Sequence, residues 1–131
     1  MNEKYNALFT PWKIGNVEIP NRIVQCSMGG TSLFGWMEPS HLDKEAAYFL
    51  LNRAQDGVGL ILPGMQCIRD PLGIPGRKWL YQNDQMFKQL KEYMVEFHKT
   101  GSKLFIQLAA GMGRSMAITK PMVALLKHPI L

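Results

Sequence analysis

Apolar positions along this chain change spacing several times, and each change marks an element. Lys13-Ile14-Gly15-Asn16-Val17-Glu18-Ile19 reads as two short strands around a Gly-Asn pair. It predicts a hairpin, because both turn residues tolerate positive φ. Pro20 ends it, and Arg22 to Ser27 follows as a first longer strand with Ile23, Val24 and Cys26 as its apolar members. Met28-Gly29-Gly30 then opens a loop in which missing Cβ atoms allow close approaches. From Leu42 the spacing becomes three and four, so Leu42, Ala46, Phe49, Leu50 and Ala54 share one helical face. Ser40 is the predicted N-cap, with Asp43 in the first turn where the helix dipole favours an acid, and Gly57 is the stop. Val58-Gly59-Leu60-Ile61-Leu62 is continuously apolar, the pattern of a parallel strand buried on both faces.

Pro63 to Leu80 holds three prolines and three glycines, which predicts a long irregular loop. Asn83 or Asp84 caps a second helix with the stripe Phe87, Leu90, Met94 and Phe97, ending near Gly101. Lys103 to Leu108 is the next buried strand, Ala109 to Ser115 a glycine-containing loop, and Val123 to Lys127 the start of a further helical stretch. The order is hairpin, β, α, β, α, β, loop. Alternating helices and apolar strands imply an α/β fold with a parallel sheet, right-handed crossovers and functional loops at the C-terminal strand ends. Three loops qualify: Met28 to Pro39, Pro63 to Leu80, and Ala109 to Ser115.

Counting strands changes that picture. A closed barrel of parallel strands takes eight in roughly 250 residues, and an open doubly wound sheet about five. Only three long strands are found in these 131 residues, and the stretch after Ser115 carries two prolines. The expectation is an incomplete α/β unit whose first and third strands are apolar edges, which invites self-association, aggregation or pairing with further chain. A small self-associating α/β binding module without catalysis is the alternative that this count leaves open.

Composition narrows the classes further. With 47% hydrophobic and 19% charged residues the chain is an ordinary folded one, and no apolar run approaches a membrane span. The start Met1-Asn2-Glu3-Lys4-Tyr5 has no signal pattern, so a cytoplasmic location and no membrane partner are expected. The net charge of +5 is spread over scattered basic residues, which argues against a nucleic-acid partner. Cys26 and Cys67 lack metal-binding spacing and are expected as reduced, buried thiols, with no metal site.

No catalytic constellation follows from spacing. His41, His98 and His128 are dispersed, and Gly111-Met112-Gly113-Arg114 lacks the third glycine and the following helix of a dinucleotide fingerprint. Gln107 is the most informative single residue. It lies near the end of a buried strand, where a carboxamide is costly unless hydrogen-bonded and where barrel enzymes place ligand groups. Satisfying nearby loop backbone is an equal reading. Met28 and Met65 suit either the wall of a flat aromatic cofactor or ordinary core filling.

Three segments in order carry a family resemblance. The run Leu8 to Val24 with Ser27-Met28-Gly29, then Gly57-Val58-Gly59-Leu60-Ile61-Leu62, then Phe105-Ile106-Gln107-Leu108 with Gly113-Arg114 is similar to the opening of the Old Yellow Enzyme family of FMN-dependent NADH:flavin oxidoreductases. The resemblance implies the hairpin and about three βα units of a TIM (β/α)8 barrel, with residues 1–131 as the N-terminal fragment of one FMN-binding barrel domain. It also implies the cofactor-binding residues: Ser27, Met28 and Gly29 against the flavin ring, Met65 approaching it, and Gln107 bonding its pyrimidine edge. A carboxamide suits that edge because it both donates and accepts. No catalytic residue is implied within the chain. The implied activity belongs to the complete enzyme: NADH or NADPH as electron donor, and hydride transfer from reduced FMN to the activated C=C bond of an enone or enoate-type substrate. The chain alone is expected to be inactive.

The departures from the family pattern carry information too. Ser27 stands where a proline is usual, and Gly29 where a Thr or Cys side chain is frequent, so any contact from that loop comes from backbone. The motif Gln107-Leu108-Ala109-Ala110-Gly111-Met112-Gly113-Arg114 resembles the larger enoate and 2,4-dienoyl-CoA reductase branch. In that branch an iron-sulfur cluster and FAD would belong only to a longer protein.

Overall fold

The computed structural model describes residues 3–34, 41–67 and 84–109. A 3-10 helix, Glu3–Phe9, leads into the strands β1 (Trp12–Ile14) and β2 (Val17–Ile19), which pair antiparallel with Trp12 opposite Ile19. The predicted hairpin is present, although Gly15 alone takes a positive φ in its turn. Asn21 anchors the hairpin to the parallel sheet. Its carbonyl accepts the Trp12 indole N–H at 2.7 Å, its Oδ1 accepts the Ile23 N–H at 3.0 Å, and its Nδ2 donates to the Gly57 carbonyl at 2.8 Å.

That sheet consists of β3 (Val24–Gln25), β4 (Leu60–Ile61) and β6 (Lys103–Leu104), with each strand beside its chain neighbour. Val24 pairs with Leu60 and Leu60 with Lys103, and in the next row Gln25 pairs with Ile61 and Ile61 with Leu104. The ladder continues past the formal strand ends, since Leu62 N–H donates to the Gln25 carbonyl at 2.9 Å and Phe105 N–H to the Ile61 carbonyl at 3.0 Å. Beyond them β5 (Gln66–Cys67) and β7 (Leu108–Ala109) form a second parallel pair, Gln66 opposite Leu108. The expected strand Lys103 to Leu108 is therefore two short pieces with Phe105 to Gln107 between them.

Helices α1 (Lys44–Gln55) and α2 (Asp84–Lys99) cover one face of this sheet. One cluster joins Leu33, Phe34, Ala47, Leu50, Ala54, Ile61, Met86, Tyr93 and Phe97, with Leu90, Met94 and Leu104 packed against it. Sequential strand order with both helices on the same face is the winding of a barrel wall. A doubly wound sheet would reverse its order and place helices on both faces.

Three details correct the sequence expectations. The α1 cap is Asp43 itself, in extended conformation, with its carboxylate accepting the Ala46 N–H at 3.0 Å. Asp43 is drawn out of the helix because its own N–H donates to the Leu33 carbonyl at 2.7 Å, and Asp caps as well as Ser. Ser40 lies outside the described residues. On α2 the buried stripe is Met86, Tyr93 and Phe97 with Leu90 beside it, while Phe87 is exposed. Spacings 86, 90, 93, 97 and 87, 90, 94, 97 both fit a helix, and only the packing direction separates them. Cys26, expected buried, is an exposed free thiol, because β3 has a neighbour on one side only among the described strands.

The α1 exit was legible in advance. Gly57 takes φ +92°, and the bonds Gly57 N–H to Ala54 carbonyl and Val58 N–H to Arg53 carbonyl, both 3.1 Å, close a Schellman end that only glycine forms without strain. The predicted Ala109 to Ser115 loop, apart from Ala109, and the Val123 to Lys127 stretch lie outside the described residues, as does most of Pro63 to Leu80.

Candidate functional site

The site grows out of the strand ends away from the hairpin. After β3 the chain runs into Ser27-Met28-Gly29-Gly30, and after β4 it reaches Pro63-Gly64-Met65. Both are C-terminal ends of parallel strands, where βα proteins gather their ligand groups. Between them lies an open cleft of about 420 Å³, lined by Ser27, Met28, Gly29, Gly30, Ser32 and Met65. That volume is within the range of small-molecule sites.

The two walls are joined by short polar bonds. Thr31 Oγ1 donates to the Met28 carbonyl at 2.9 Å and accepts the Gly64 N–H at 2.9 Å. Ser32 Oγ donates to the Met65 carbonyl at 2.9 Å. Both hydroxyls are buried, as is Gln66, whose Nε2 donates to the Gly64 carbonyl at 2.9 Å. Gly64 makes the close approach feasible. A Cβ there would sit 2.7 Å from the Ser32 nitrogen and 2.8 Å from the Met28 oxygen, backbone atoms that cannot swing away.

Of the sequence-predicted site residues, the structure gathers Ser27, Met28, Gly29 and Met65 around one cleft. Gln107 is not in that lining. It is exposed, and its carbonyl accepts the Gln66 N–H at 2.8 Å, which places it just before β7 and beside the residue that follows Met65. Sequence reasoning missed Gly30, Thr31, Ser32 and Gln66. Thr31 and Ser32 had a faint signal, two hydroxyls directly after a Gly-Gly loop, but only the return of Gly64 alongside them makes them buried.

The wall chemistry suits a flat, partly apolar ring. Met28 presents an exposed thioether side chain beside Met65, and thioethers pack adaptably on ring faces and edges. Gly29 adds no side chain, and a Cβ there would meet nothing within 4 Å. Ser27, Gly29 and Gly30 make no hydrogen bond among the described residues. Among the described residues no cluster of three His, Cys, Asp or Glu could hold a metal ion, and no helix is long and apolar enough to cross a membrane.

Sequence comparison decides the family. The NADH:flavin oxidoreductase / NADH oxidase family model matches residues 7–122. The chain belongs to that family. A curated relative, the cinnamate reductase of Clostridium sporogenes, is 32% identical over 118 residues, covering 87% of this chain and 17% of that protein. Among solved structures, the Old Yellow Enzyme of a Pichia species superposes with a TM-score of 0.62 at 24% identity, covering 93% of this chain and 30% of that one. The old yellow enzyme of Trypanosoma cruzi gives 0.62 at 19% identity, covering 80% of this chain and 27% of that one. The fold is thus the opening portion of the TIM (β/α)8 barrel of these oxidoreductases, and the chain spans under a third of the length of each.

Proposed function

We propose that residues 1–131 are the first part of a single FMN-binding barrel domain in an NAD(P)H-oxidising ene-reductase. The observation that carries the reading is the cleft, in which four of the five flavin-contacting positions implied by the sequence lie together at the C-terminal ends of neighbouring parallel strands. Bound FMN would supply the redox chemistry, hydride transfer from NADH or NADPH to the β carbon of an electron-poor alkene with protonation at the α carbon.

The chain's own residues supply a surface and donors. Met28 and Met65 would pack on the ring, the backbone of Ser27 and Gly29 would meet its polar edge, and the Gln107 carboxamide would offer a donor and an acceptor to an adjacent C=O and N–H. None of these groups transfers a proton to substrate. These 131 residues alone therefore bind FMN weakly and turn nothing over. An enoate-type substrate is the expected class, supported by the 32% identity to a cinnamate reductase. A cytoplasmic location accompanies this reading.

Titrating FMN into the isotopically labelled chain tests it by amide chemical shifts. Millimolar FMN is expected to move the amides of Ser27, Met28, Gly29, Gly30 and Met65 and to leave those of α1 unmoved. Shifts confined to the helices, or none at all, would overturn the flavin assignment. Tight stoichiometric binding would instead sink the claim that this stretch lacks a complete site.

A further inference from the structure

Thr31 is buried, 4% exposed, and it does not line the cleft. Its hydroxyl nevertheless touches both walls, donating to the Met28 carbonyl on one and accepting the Gly64 N–H on the other. The same Gly64 N–H also reaches the Thr31 carbonyl at 3.1 Å, so Thr31 receives two bonds from the facing loop while its hydroxyl secures its own loop at Met28. A hydroxyl has one proton to give and lone pairs to accept with, and here both capacities are used. Valine has nearly the same shape and neither capacity; serine has both.

Glycine at 64 allows no slack in this arrangement, because backbone atoms of Ser32 and Met28 already lie where a Cβ would go. The two walls are thus held at one separation by a hydroxyl and a missing side chain.

We infer that Thr31 is a positioning residue: it clasps the Met28–Gly30 wall to Gly64–Met65 and sets the width of the cleft before a ring enters. Its use in flavin binding rests on the function proposed for this cleft, whereas the clasp stands on geometry alone. Holding the walls in advance lowers the ordering cost of binding. Removing the hydroxyl leaves the Gly64 N–H with the Thr31 carbonyl at 3.1 Å alone and the Met28 carbonyl with the Thr31 N–H at 3.4 Å alone, and the loss of the shorter bond in each case corresponds to about tenfold in local opening.

Amide exchange in the full labelled chain, with FMN as the probe ligand, separates the two claims. Thr31→Val is expected to speed exchange of the Gly64 amide about tenfold while α1 and α2 amides keep their protection, and to weaken the FMN-induced shifts at Gly29, Gly30 and Met65 by a similar factor. Thr31→Ser is expected to stay within about threefold of wild type in both readouts, because serine keeps the donor and the acceptor. Unchanged Gly64 exchange in Thr31→Val overturns the clasp, and so does failure of serine to rescue. If valine unfolds the helices, Thr31→Ala adds no bulk and takes its place under the same criteria. Wild type that shows the expected exchange pattern but no FMN shift sinks the flavin reading and leaves the clasp standing.

Discussion

The helix-covered face of the sheet and the C-terminal ends of its strands are held together by different forces. Toward the helices, Ile61 sits in an apolar cluster with Leu50, Ala54, Met86 and Phe97, each nearly or wholly inaccessible to water. Toward the cleft, the chain is held by Thr31, Ser32, Gln66 and the backbone of Gly64, with hydrogen bonds of 2.9 Å taking the place of packed side chains. The apolar layer is non-directional and tolerates rearrangement as long as volume is kept. The polar clasp is directional, so it specifies a geometry with few atoms. A binding surface needs the second property more than the first. Stability is concentrated in one region and shape in the other.

Removing Phe97 tests the first half of that contrast most harshly. Phe97→Ala, at a fully buried ring packed 5.7 Å from Tyr93, is expected to cost about 3–5 kcal/mol in urea unfolding. Below its lowered midpoint, FMN shifts at Gly29 and Met65 should persist. Their loss in a still-folded variant would mean that the helix layer shapes the cleft after all.

Gly64→Ala attacks the other region. Its Cβ collides with backbone, so about 1–3 kcal/mol of stability is expected to go, together with the FMN-induced shifts. Retention of those shifts would show that the walls can move apart without consequence.

Tyr93 is a flaw in the apolar region. Its hydroxyl is buried with no hydrogen-bond partner among the described residues, and burial holds the phenol neutral far above its usual range. Tyr93→Phe is expected to raise stability by about 1 kcal/mol. The pH dependence has a definite sign. In the unfolded chain the phenol ionises near 10, whereas in the folded chain its pKa is raised, so the contribution is intact below about pH 10 and is lost as pH climbs beyond it. Parallel urea titrations at pH 8 and at about pH 11 should therefore show a widening gap between wild type and Tyr93→Phe. A constant gap would mean that burial does not hold the phenol neutral in the folded chain.

Legibility in the sequence followed the same division. The hairpin, both helices, the order of the parallel strands and the Gly57 stop were readable because each depends on neighbours within a few positions, whereas the strands themselves are shorter than expected and Ile106 and Leu108 are exposed. The α2 face was misjudged by one position, since Met86 and Phe87 are both apolar and only contact with α1 and Leu33 chooses between them. Ser27, Met28, Gly29 and Met65 were readable as candidates by resemblance. The parts that hold them, Thr31, Ser32 and Gly64, were not, because their meaning lies in a meeting of segments 33 residues apart.

By itself the sequence determined the element order, the parallel α/β character, the family and the residues expected around a flavin ring. Those properties are carried by local periodicity and by ordered motifs. The tertiary structure alone decided that both helices share one face, that Cys26 is exposed, that Gln107 stands beside the cleft lining, and that a threonine hydroxyl ties the two walls. The reason is physical: burial and hydrogen bonding between distant segments depend on which backbones come within about 3 Å of each other, and no spacing along one segment records that.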